Sequence, residues 1–348
     1  MSLYDRVEGL ALEIEGYALE GLELQARPEF LRKTTVIHLQ GDGEEGIGED
    51  VTYHAEEHDF SQTLGPAFPL TGSWTLHSFS QHVATLPLFP QEPAQHAYWD
   101  YRRWAYESAA LDLALRQAGL SLGEAVGREP QPLAFVVSMS LGEPPSTERF
   151  RAWLDLYPSL RFKLDANAKW DDELVAELAA TGAVDSVDFK GQYRGTTVDV
   201  PPDAALYRRV AEGLPDAWLE DPGLTEETEA VLEPHRDRVT WDAIIHSVED
   251  IQALPRPPRT VNVKPSRFGS VERLFAAYDY CAAEGIGAYG GGQWELGAGR
   301  GQIQLLAALF HADRPNDVAP REFNLDPQPG LPESPLEIEQ REMGFLAV

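Results

Sequence analysis

The chain has 348 residues, 43% of them hydrophobic, which suits two domains or one large barrel with an attached domain. The formal net charge of -29, from 57 acidic and 28 basic residues, argues against nucleic acid and against an anionic membrane surface as partners. The single cysteine, Cys281, excludes an internal disulfide framework and fits a reducing compartment. The sequence has no long apolar run and no signal-peptide core near its N-terminus, so it predicts a soluble, cytoplasmic protein.

The first 125 residues predict an α+β domain. Segments of alternating apolar and polar residues indicate antiparallel strands, and Asp42-Gly43 supplies the turn of a hairpin that continues to Glu49. Gly119 ends a helical pattern. The predicted elements are a meander of about three strands at 9–14, 19–24 and 34–39, an aperiodic stretch at 50–95, and a helix at 101–118.

After Pro130 and Pro132 the chain alternates between strand and helix patterns. Eight strands alternating with helices favour a closed (β/α)8-type barrel over an open doubly wound sheet, partly because no Gly-x-Gly-x-x-Gly follows the first strand. His311, after the last clear helix, is interpreted as a surface or cap residue. The predicted strands are 133–138, 160–167, 184–190, 217–220, 239–242, 260–264, 286–290 and 318–323, and the predicted helices include 147–156, 171–180, 203–213, 271–283 and 302–310.

The segment 160–167 has the most informative pattern. Its even-numbered residues are apolar and its odd-numbered residues are polar or charged, as in a strand with two unlike faces. Lysine is rare, because only five of the 28 basic residues are lysines. A lysine at the polar end of a strand is therefore a candidate for function. Three lysines lie at such ends, namely Lys163, Lys190 and Lys264.

Polar residues at the C-terminal ends of the predicted strands form one group, because the strand ends of a barrel meet at one mouth. Three carboxylates from three consecutive strands make a hard-oxygen site that suits Mg²⁺ better than Zn²⁺. A divalent cation would also relieve the repulsion that otherwise raises the pKa values of neighbouring carboxyl groups. In strand order the group is Lys163, Asp165, Asp188, Lys190, Glu220, Asp242 and Lys264, and the predicted metal ligands are Asp188, Glu220 and Asp242.

Lysines beside a metal site point to acid and base catalysis. A desolvated lysine close to a cation has a lowered pKa and can accept a proton near neutral pH. Such an assembly suits removal of the proton α to a carboxylate, with the metal stabilising the enediolate. The candidate catalytic residues are Lys163, Lys264, Asp165 and Lys190, and the partner is a small-molecule carboxylate. The alternative is that these residues form ion pairs that only stabilise the barrel rim.

Seven short motifs lie along the chain. They are Thr-Val-Ile-His-Leu at 35–39, Gly-Ile-Gly-Glu at 46–49, Glu-Ser-Ala-Ala-Leu-Asp-Leu-Ala at 107–114, Trp-Leu-Glu-Asp-Pro at 218–222, Thr-Trp-Asp at 240–242, Val-Asn-Val-Lys-Pro-Ser-Arg-Phe-Gly at 261–269 and Glu-Leu-Gly-Ala-Gly-Arg at 295–300. In combination they resemble the enolase superfamily, in its muconate-lactonising and mandelate-racemase-like branches. The resemblance implies a (β/α)7β barrel at 129–324 under an N-terminal α+β capping domain at 1–128, and the Pro-rich, acidic segment 325–348 is expected to return to the cap.

The resemblance also implies a function. It makes Asp188, Glu220 and Asp242 the Mg²⁺ ligands and places acid and base lysines on opposite faces of the substrate. The expected enzyme is a lyase or isomerase that performs elimination, racemisation or epimerisation, or cycloisomerisation. Lysines on both faces favour the branch with o-succinylbenzoate synthases and dipeptide epimerases. The oligomeric state is left open, although enzymes of this kind are commonly homo-oligomers.

Two strands depart from the superfamily pattern. The second strand has Arg161-x-Lys163-x-Asp165 where Lys-x-Lys is usual, so either Lys163 takes the place of the second lysine or Asp165 replaces it. On the third strand Lys190 stands where asparagine is frequent. One alternative function is a sugar-acid dehydratase, with Lys190 or His246 as general acid. Another is a catalytically silent relative that binds a carboxylate ligand.

Overall fold

The computed structural model describes residues 1–27, 30–196 and 198–346. Within these ranges, the N-terminal part combines antiparallel strands with helices, as the sequence predicts. Its strands are β1 (Ala11–Ile14), β2 (Gly16–Arg27), β3 (Phe30–Gly41), β4 (Glu44–Asp50) and β5 (Gly72–Thr75), and its helices are α1 (Ala55–Leu64), α2 (Leu76–Val83), α3 (Tyr98–Gln117) and α4 (Leu122–Val126).

The N-terminal sheet differs from the predicted meander in one pairing. Strands β2, β3 and β4 form an antiparallel sheet, and Asp42 and Gly43 make its second turn with positive φ values of 52° and 77°, so the predicted hairpin is confirmed. The segment predicted first, which becomes β1, instead pairs with β5. The aperiodic stretch 50–95 contains α1, β5 and α2, whose short lengths hide the periodicity of each element.

The second part of the chain alternates parallel strands with helices. Several of these helices begin at polar N-cap side chains, such as Asp171, Asp203 and Ser270, as expected from helix capping. Among the described residues, no helix is both long and apolar enough to cross a membrane. The strands are β6 (Val137–Ser140), β7 (Phe162–Asp165), β8 (Val184–Asp188), β9 (Trp218–Glu220), β10 (Val239–Thr240), β11 (Thr260–Val263) and β12 (Gly287–Gly290), and the helices are α5 (Glu148–Leu156), α6 (Asp172–Thr181), α7 (Ala204–Gly213), α8 (Glu226–Leu232), α9 (Val248–Gln252), α10 (Pro265–Phe268), α11 (Val271–Glu284) and α12 (Ala298–Phe310).

Backbone hydrogen bonds join these strands into a ring. Strands β6 to β10 form one parallel sheet in sequence order, and β11 pairs with β12. The amide of Asn262 on β11 donates to the carbonyl of Trp241, directly after β10, at 2.9 Å. This bond continues the sheet from β10 to β11. The order and direction of the strands are those of the barrel that the sequence predicts.

The segment Asn316-Asp317 closes the ring. The amide of Asp317 donates to the carbonyl of Gly290 on β12, and the amide of Val136, next to β6, donates to the carbonyl of Asn316, both at 2.8 Å. The predicted eighth strand at 318–323 is therefore wrong in position. Pro320 has no amide hydrogen to donate to a strand ladder, and Arg321–Asn324 forms a 3-10 helix instead.

Alternate residues on each barrel strand face opposite sides. On β7, Phe162 and Leu164 are fully buried in the apolar layer between the barrel and its helices, where they meet residues such as Phe150 and Val175. Lys163 lies between them in sequence and points the other way, into the barrel. This is the two-faced pattern predicted for 160–167, and it brings the charged residues of successive strands together inside the ring.

Two buried charged side chains attach the N-terminal part to the barrel. The Glu49 carboxylate at the end of β4 accepts hydrogen bonds from the amides of Leu296, Gly297 and Gly299 at 2.7 to 3.0 Å, and so it caps the N-terminus of α12. The Arg32 guanidinium on β3 donates to the carbonyl of Gln293 at 2.9 Å. Both contacts are to backbone atoms, so they fix where the cap sits over the barrel mouth.

The last described residues also contact the N-terminal part. Gly344 N donates to Leu120 O at 2.8 Å, and Leu122 N donates to Gly344 O at 3.0 Å. The amide of Phe345 donates to the Asp112 carboxylate on α3 at 2.7 Å. The domain bounds given above stay a prediction, and residues 347 and 348 of the predicted C-terminal segment lie outside the described residues.

The side chain of Asn316 holds the closing segment in place. Its Oδ1 atom accepts a hydrogen bond from Gly290 N at 2.6 Å, and its Nδ2 atom donates to Ala134 O at 3.0 Å. His311 Nδ1 lies 2.7 Å from the same Oδ1 atom and its Nε2 lies 3.2 Å from the hydroxyl of Tyr278. His311 is 5% exposed, so its interpretation as a surface or cap residue is wrong.

The buried His311 predicts a pH dependence of stability. Burial lowers its pKa from 6.5 to about 4. Between these two pH values the imidazole is protonated in the unfolded chain but neutral in the folded protein. This contribution is complete above pH 6.5, and roughly 3 kcal/mol is lost as the pH falls towards 4. We expect urea denaturation to show that the stability difference between wild type and His311→Gln shrinks by about this amount from pH 7 to pH 4.

The exposed His96 provides a matched control. Its side chain is 90% exposed, so His96→Gln should keep the wild-type pH dependence. A constant difference between wild type and His311→Gln across this pH range would contradict the role assigned to His311.

Candidate metal centre at the barrel mouth

Three carboxylates from neighbouring strands converge inside the barrel mouth. Asp188 ends β8, Glu220 ends β9, and Asp242 lies two residues after β10. All three side chains are inaccessible to solvent, and one oxygen of each lies within 4.8 Å of the others. The structure thus brings together the three residues that the sequence analysis selected as metal ligands.

Two predicted lysines contact different members of this group of carboxylates, from opposite ends of the set of strands. The Lys163 ammonium on β7 bonds to Glu220 and lies 3.4 Å from Asp188 Oδ2. The Lys264 ammonium, directly after β11, lies 2.9 Å from Asp242 Oδ2. Burial lowers the pKa of Lys163, but Glu220 and Asp188 outweigh it and hold that pKa well above its usual value. Burial leaves the pKa of Lys264 below its usual value despite the neighbouring Asp242.

Glycine permits the close approach of Lys264. A Cβ atom on Gly291, directly after β12, would lie 2.4 Å from Cε of Lys264. Any other residue here would displace the lysine stem, so the end of β12 is shaped to hold this amine.

The other two predicted residues form an ion pair nearer the solvent. The Lys190 ammonium lies 2.5 Å from Asp188 Oδ2 and 3.2 Å from Asp165 Oδ1. The side chains of Lys190 and Asp165 are 18% and 31% exposed, so the pair lies on the outer side of the buried carboxylates. The sequence left open whether Lys163 or Asp165 is the functional residue of β7. Lys163 contacts Asp188 and Glu220, whereas Asp165 contacts Lys190.

Arg267 and Tyr193 belong to the centre but were not predicted. Arg267 Nη1 donates to Asp242 Oδ1 at 2.6 Å, and the Tyr193 hydroxyl donates to Asp242 Oδ2 at 3.0 Å. The two side chains also meet each other at 3.3 Å. Arg267 could have been found from its position three residues after Lys264, within one helical turn. Tyr193 comes from the loop after β8, where no periodic pattern marks it.

Asp221 and Tyr289 support the buried carboxylates. Asp221 accepts hydrogen bonds from the amides of Asp242 and Ala243, both at 2.8 Å, and so fixes the chain after β10. The Tyr289 hydroxyl on β12 donates to Glu220 Oε2. Tyr289 could have been found from the alternation of its strand, whereas Asp221 interrupts the alternation with a positive φ of 48°.

The net negative charge of this cluster suits a divalent cation. Four cationic side chains, Lys163, Lys190, Lys264 and Arg267, contact this cluster. Six carboxylates surround them, namely Asp165, Asp188, Glu220, Asp221, Asp242 and Asp317, which leaves two uncompensated negative charges. Burial and neighbouring carboxylates raise the pKa of Glu220 to about 8 and that of Asp221 to about 7. The residues therefore fit a doubly charged ion with oxygen ligands, such as Mg²⁺.

Several solved structures with a similar fold are members of the enolase superfamily. A dipeptide epimerase from Methylococcus capsulatus, complexed with Mg and the dipeptide L-Arg-D-Lys, has a TM-score of 0.72 at 18% identity, over 97% of this chain and 100% of that chain. A dipeptide epimerase from Enterococcus faecalis V583 has a TM-score of 0.67 at 14% identity, over 97% and 99%. Muconate cycloisomerase from Pseudomonas fluorescens has a TM-score of 0.61 at 20% identity, over 96% and 94%. The chain thus has the fold of the enolase superfamily.

Sequence comparison places the chain in a particular family. Residues 129–325 match the C-terminal domain, and residues 5–125 the N-terminal domain, of a family described as "Domain of unknown function (DUF8230)". The chain belongs to this family. A search of curated proteins gives no match. The resemblance to the enolase superfamily is therefore confirmed for the fold, and the chemistry is inferred from the residues themselves.

Loss of one carboxylate should weaken cation binding. We expect Asp188→Asn to lower Mg²⁺ affinity by at least about 100-fold in calorimetry, because a directly bound charge should contribute more than the outer contacts of a metal site, which contribute about 10- to 100-fold. Asp185→Asn is the matched control on the same strand, since Asp185 pairs with Arg161 outside the cluster. Equal Mg²⁺ affinity of Asp188→Asn and wild type would show that the ligand assigned to β8 is wrong.

Proposed function

We propose that this protein is a Mg²⁺-dependent enzyme that removes the α-proton of a small-molecule carboxylate. The observation that carries the proposal is the buried set of Asp188, Glu220 and Asp242, flanked by the amines of Lys163 and Lys264. A cation bound to the three carboxylates would stabilise the negative charge that develops on the substrate carboxylate. The amines lie on strands at opposite ends of this set, so the substrate α-carbon would lie between them.

The chain's own groups account for the proton transfers. One amine, in its neutral form, takes the α-proton, and the electron pair of the broken C–H bond moves into the carboxylate group as an enediolate. The ammonium on the other side returns a proton to the opposite face, which inverts the α-carbon. If the β-carbon carries a leaving group, the same electron pair can expel it. The proposal therefore covers racemisation or epimerisation, elimination and cycloisomerisation, the last as addition across a double bond or its reverse.

Epimerisation of a dipeptide or acylated amino acid is the form we favour. Both candidate amines are buried, at 2% and 6% exposure, and each is fixed by a carboxylate, which suits two groups that act alternately on opposite faces. Two structures with similar folds are dipeptide epimerases, and one of them is complexed with Mg and a dipeptide. The o-succinylbenzoate synthase reaction is the elimination counterpart of the same arrangement.

Dehydration of a sugar acid is the second candidate. It requires a general acid that protonates the departing hydroxyl group. The third amine, Lys190, is more accessible than the two buried lysines and lies at the mouth. His246 is less suited, because its Nε2 atom lies 3.0 Å from the carbonyl of Ala243.

Hydrogen exchange at the α-carbon tests the proposal. We expect dipeptides, N-acylated amino acids or sugar acids to take up deuterium at this position in D₂O with Mg²⁺, as followed by NMR, and EDTA to stop the uptake. Since each amine serves one face, Lys264→Ala and Lys163→Ala should each slow exchange of one stereoisomer by at least about 100-fold. Release of a 2-keto acid from a sugar acid would instead support dehydration.

Lys169→Ala is the matched control, because Lys169 is an exposed lysine on the loop after β7. It should exchange both stereoisomers at the wild-type rate. Exchange that persists at full rate in both lysine variants would remove the assigned acid and base. Binding of these carboxylates with Mg²⁺ but without exchange would point to a silent carboxylate-binding protein.

A further inference from the structure

Lys190 occupies an unusual place for a lysine beside a cation site. Its ammonium lies 2.5 Å from Asp188 Oδ2, an oxygen of a proposed ligand, and 3.2 Å from Asp165 Oδ1. Asp188 is completely buried, while 31% of the Asp165 side chain is exposed. The ammonium therefore bridges one carboxylate inside the cluster and one at its edge.

The two carboxylates are direct neighbours across the sheet. Asp165 on β7 is in register with Asp188 on β8, and adjacent strands lie only about 4.8 Å apart. The ammonium already lies within hydrogen-bonding distance of both carboxylates, at 2.5 Å and 3.2 Å, so it can pass from one to the other without losing contact with both. Asp165 Oδ1, the oxygen nearest the ammonium, is buried and receives no hydrogen bond from the described residues, so it can accept one from a displaced ammonium.

Hydrogen bonds hold the backbone at Lys190. Its amide donates to Asp188 Oδ1 at 2.9 Å, and the next amide, of Gly191, donates to Asp221 O at 2.9 Å. Its φ of 55° is a left-handed conformation that side-chain-bearing residues seldom adopt. The surrounding structure therefore imposes this conformation, which aims the ammonium at the cluster.

We propose that Lys190 is a displaceable counter-ion of the metal centre and that Asp165 is the carboxylate that receives it. Without a cation, Lys190 neutralises Asp188. When a divalent cation binds Asp188, repulsion between like charges moves the ammonium to Asp165. The inference rests on the proposed function, because it requires a cation at the three carboxylates. It makes Lys190 and Asp165 positioning residues that set how tightly the cation is held.

The two residues should change cation affinity in opposite directions. We use Mn²⁺ alone as the probe and measure free ion by electron paramagnetic resonance, which needs no substrate. Lys190→Met should bind Mn²⁺ about tenfold more tightly than wild type, because the competing ammonium is gone. Asp165→Asn should bind it about tenfold more weakly, because the ammonium loses its alternative partner.

The double variant separates this mechanism from a general effect of charge. In the Lys190→Met background no ammonium remains to be received, so Asp165→Asn should cost much less affinity than it does alone. Lys169→Met removes an exposed lysine of equal charge and should leave affinity unchanged. Lys190→Gln serves as the second variant if circular dichroism shows that Lys190→Met is unfolded.

The outcomes distinguish this inference from the proposed function. Equal or weaker Mn²⁺ binding by folded Lys190→Met or Lys190→Gln, beside normal binding by wild type, overturns only the role of Lys190. An equal loss from Asp165→Asn in both backgrounds overturns the role of Asp165. If neither wild type nor the Lys190 variants bind Mn²⁺, the cation site itself fails, and the proposed function fails with it.

Discussion

Compensation of buried charge at one end of the barrel is the constraint on which the rest of the site depends. Asp188, Glu220, Asp221 and Asp242 have no solvent exposure, and burying unpaired carboxylates is strongly unfavourable. Neighbouring elements supply the compensating positive charges. They are an ammonium on β7, another directly after β11 and a guanidinium on α10. Such a cluster contributes little to stability compared with an apolar core of equal volume, so its presence is a sign of function.

The sequence predicted the centre where regular strands supply it. Asp188 and Glu220 end parallel strands in phase with a period of two residues, and the geometry of a barrel then brings them together without further information. Arg267 and Tyr193 were missed because they come from a helical turn and a loop, where tertiary contacts decide which way a side chain points. His311 was misjudged because polarity alone does not reveal a buried partner such as Asn316.

The cap is positioned by contacts that do not involve the centre. Glu49 and Arg32 bind backbone atoms of the segment between β12 and α12, so they hold the cap over the mouth whatever side chains face the substrate. Tyr53 and Tyr101 are among the cap residues near the mouth, and both bond to the Gln293 side chain. The attachment through Glu49 and Arg32 uses backbone atoms of the barrel segment, so it does not depend on which side chains line the mouth.

The closing segment Asn316-Asp317 lies far along the chain from the carboxylates that it encloses. A chain made from its N-terminus exposes Asp188, Glu220 and Asp242 well before Asn316 is available to join β12 to the beginning of β6. In the folded chain the hydrogen bonds of Asn316 and Asp317 close the ring around these carboxylates. Burial of the three carboxylates therefore requires almost the whole length of the barrel sequence, and a chain cut short before Asn316 lacks the segment that closes the ring around them.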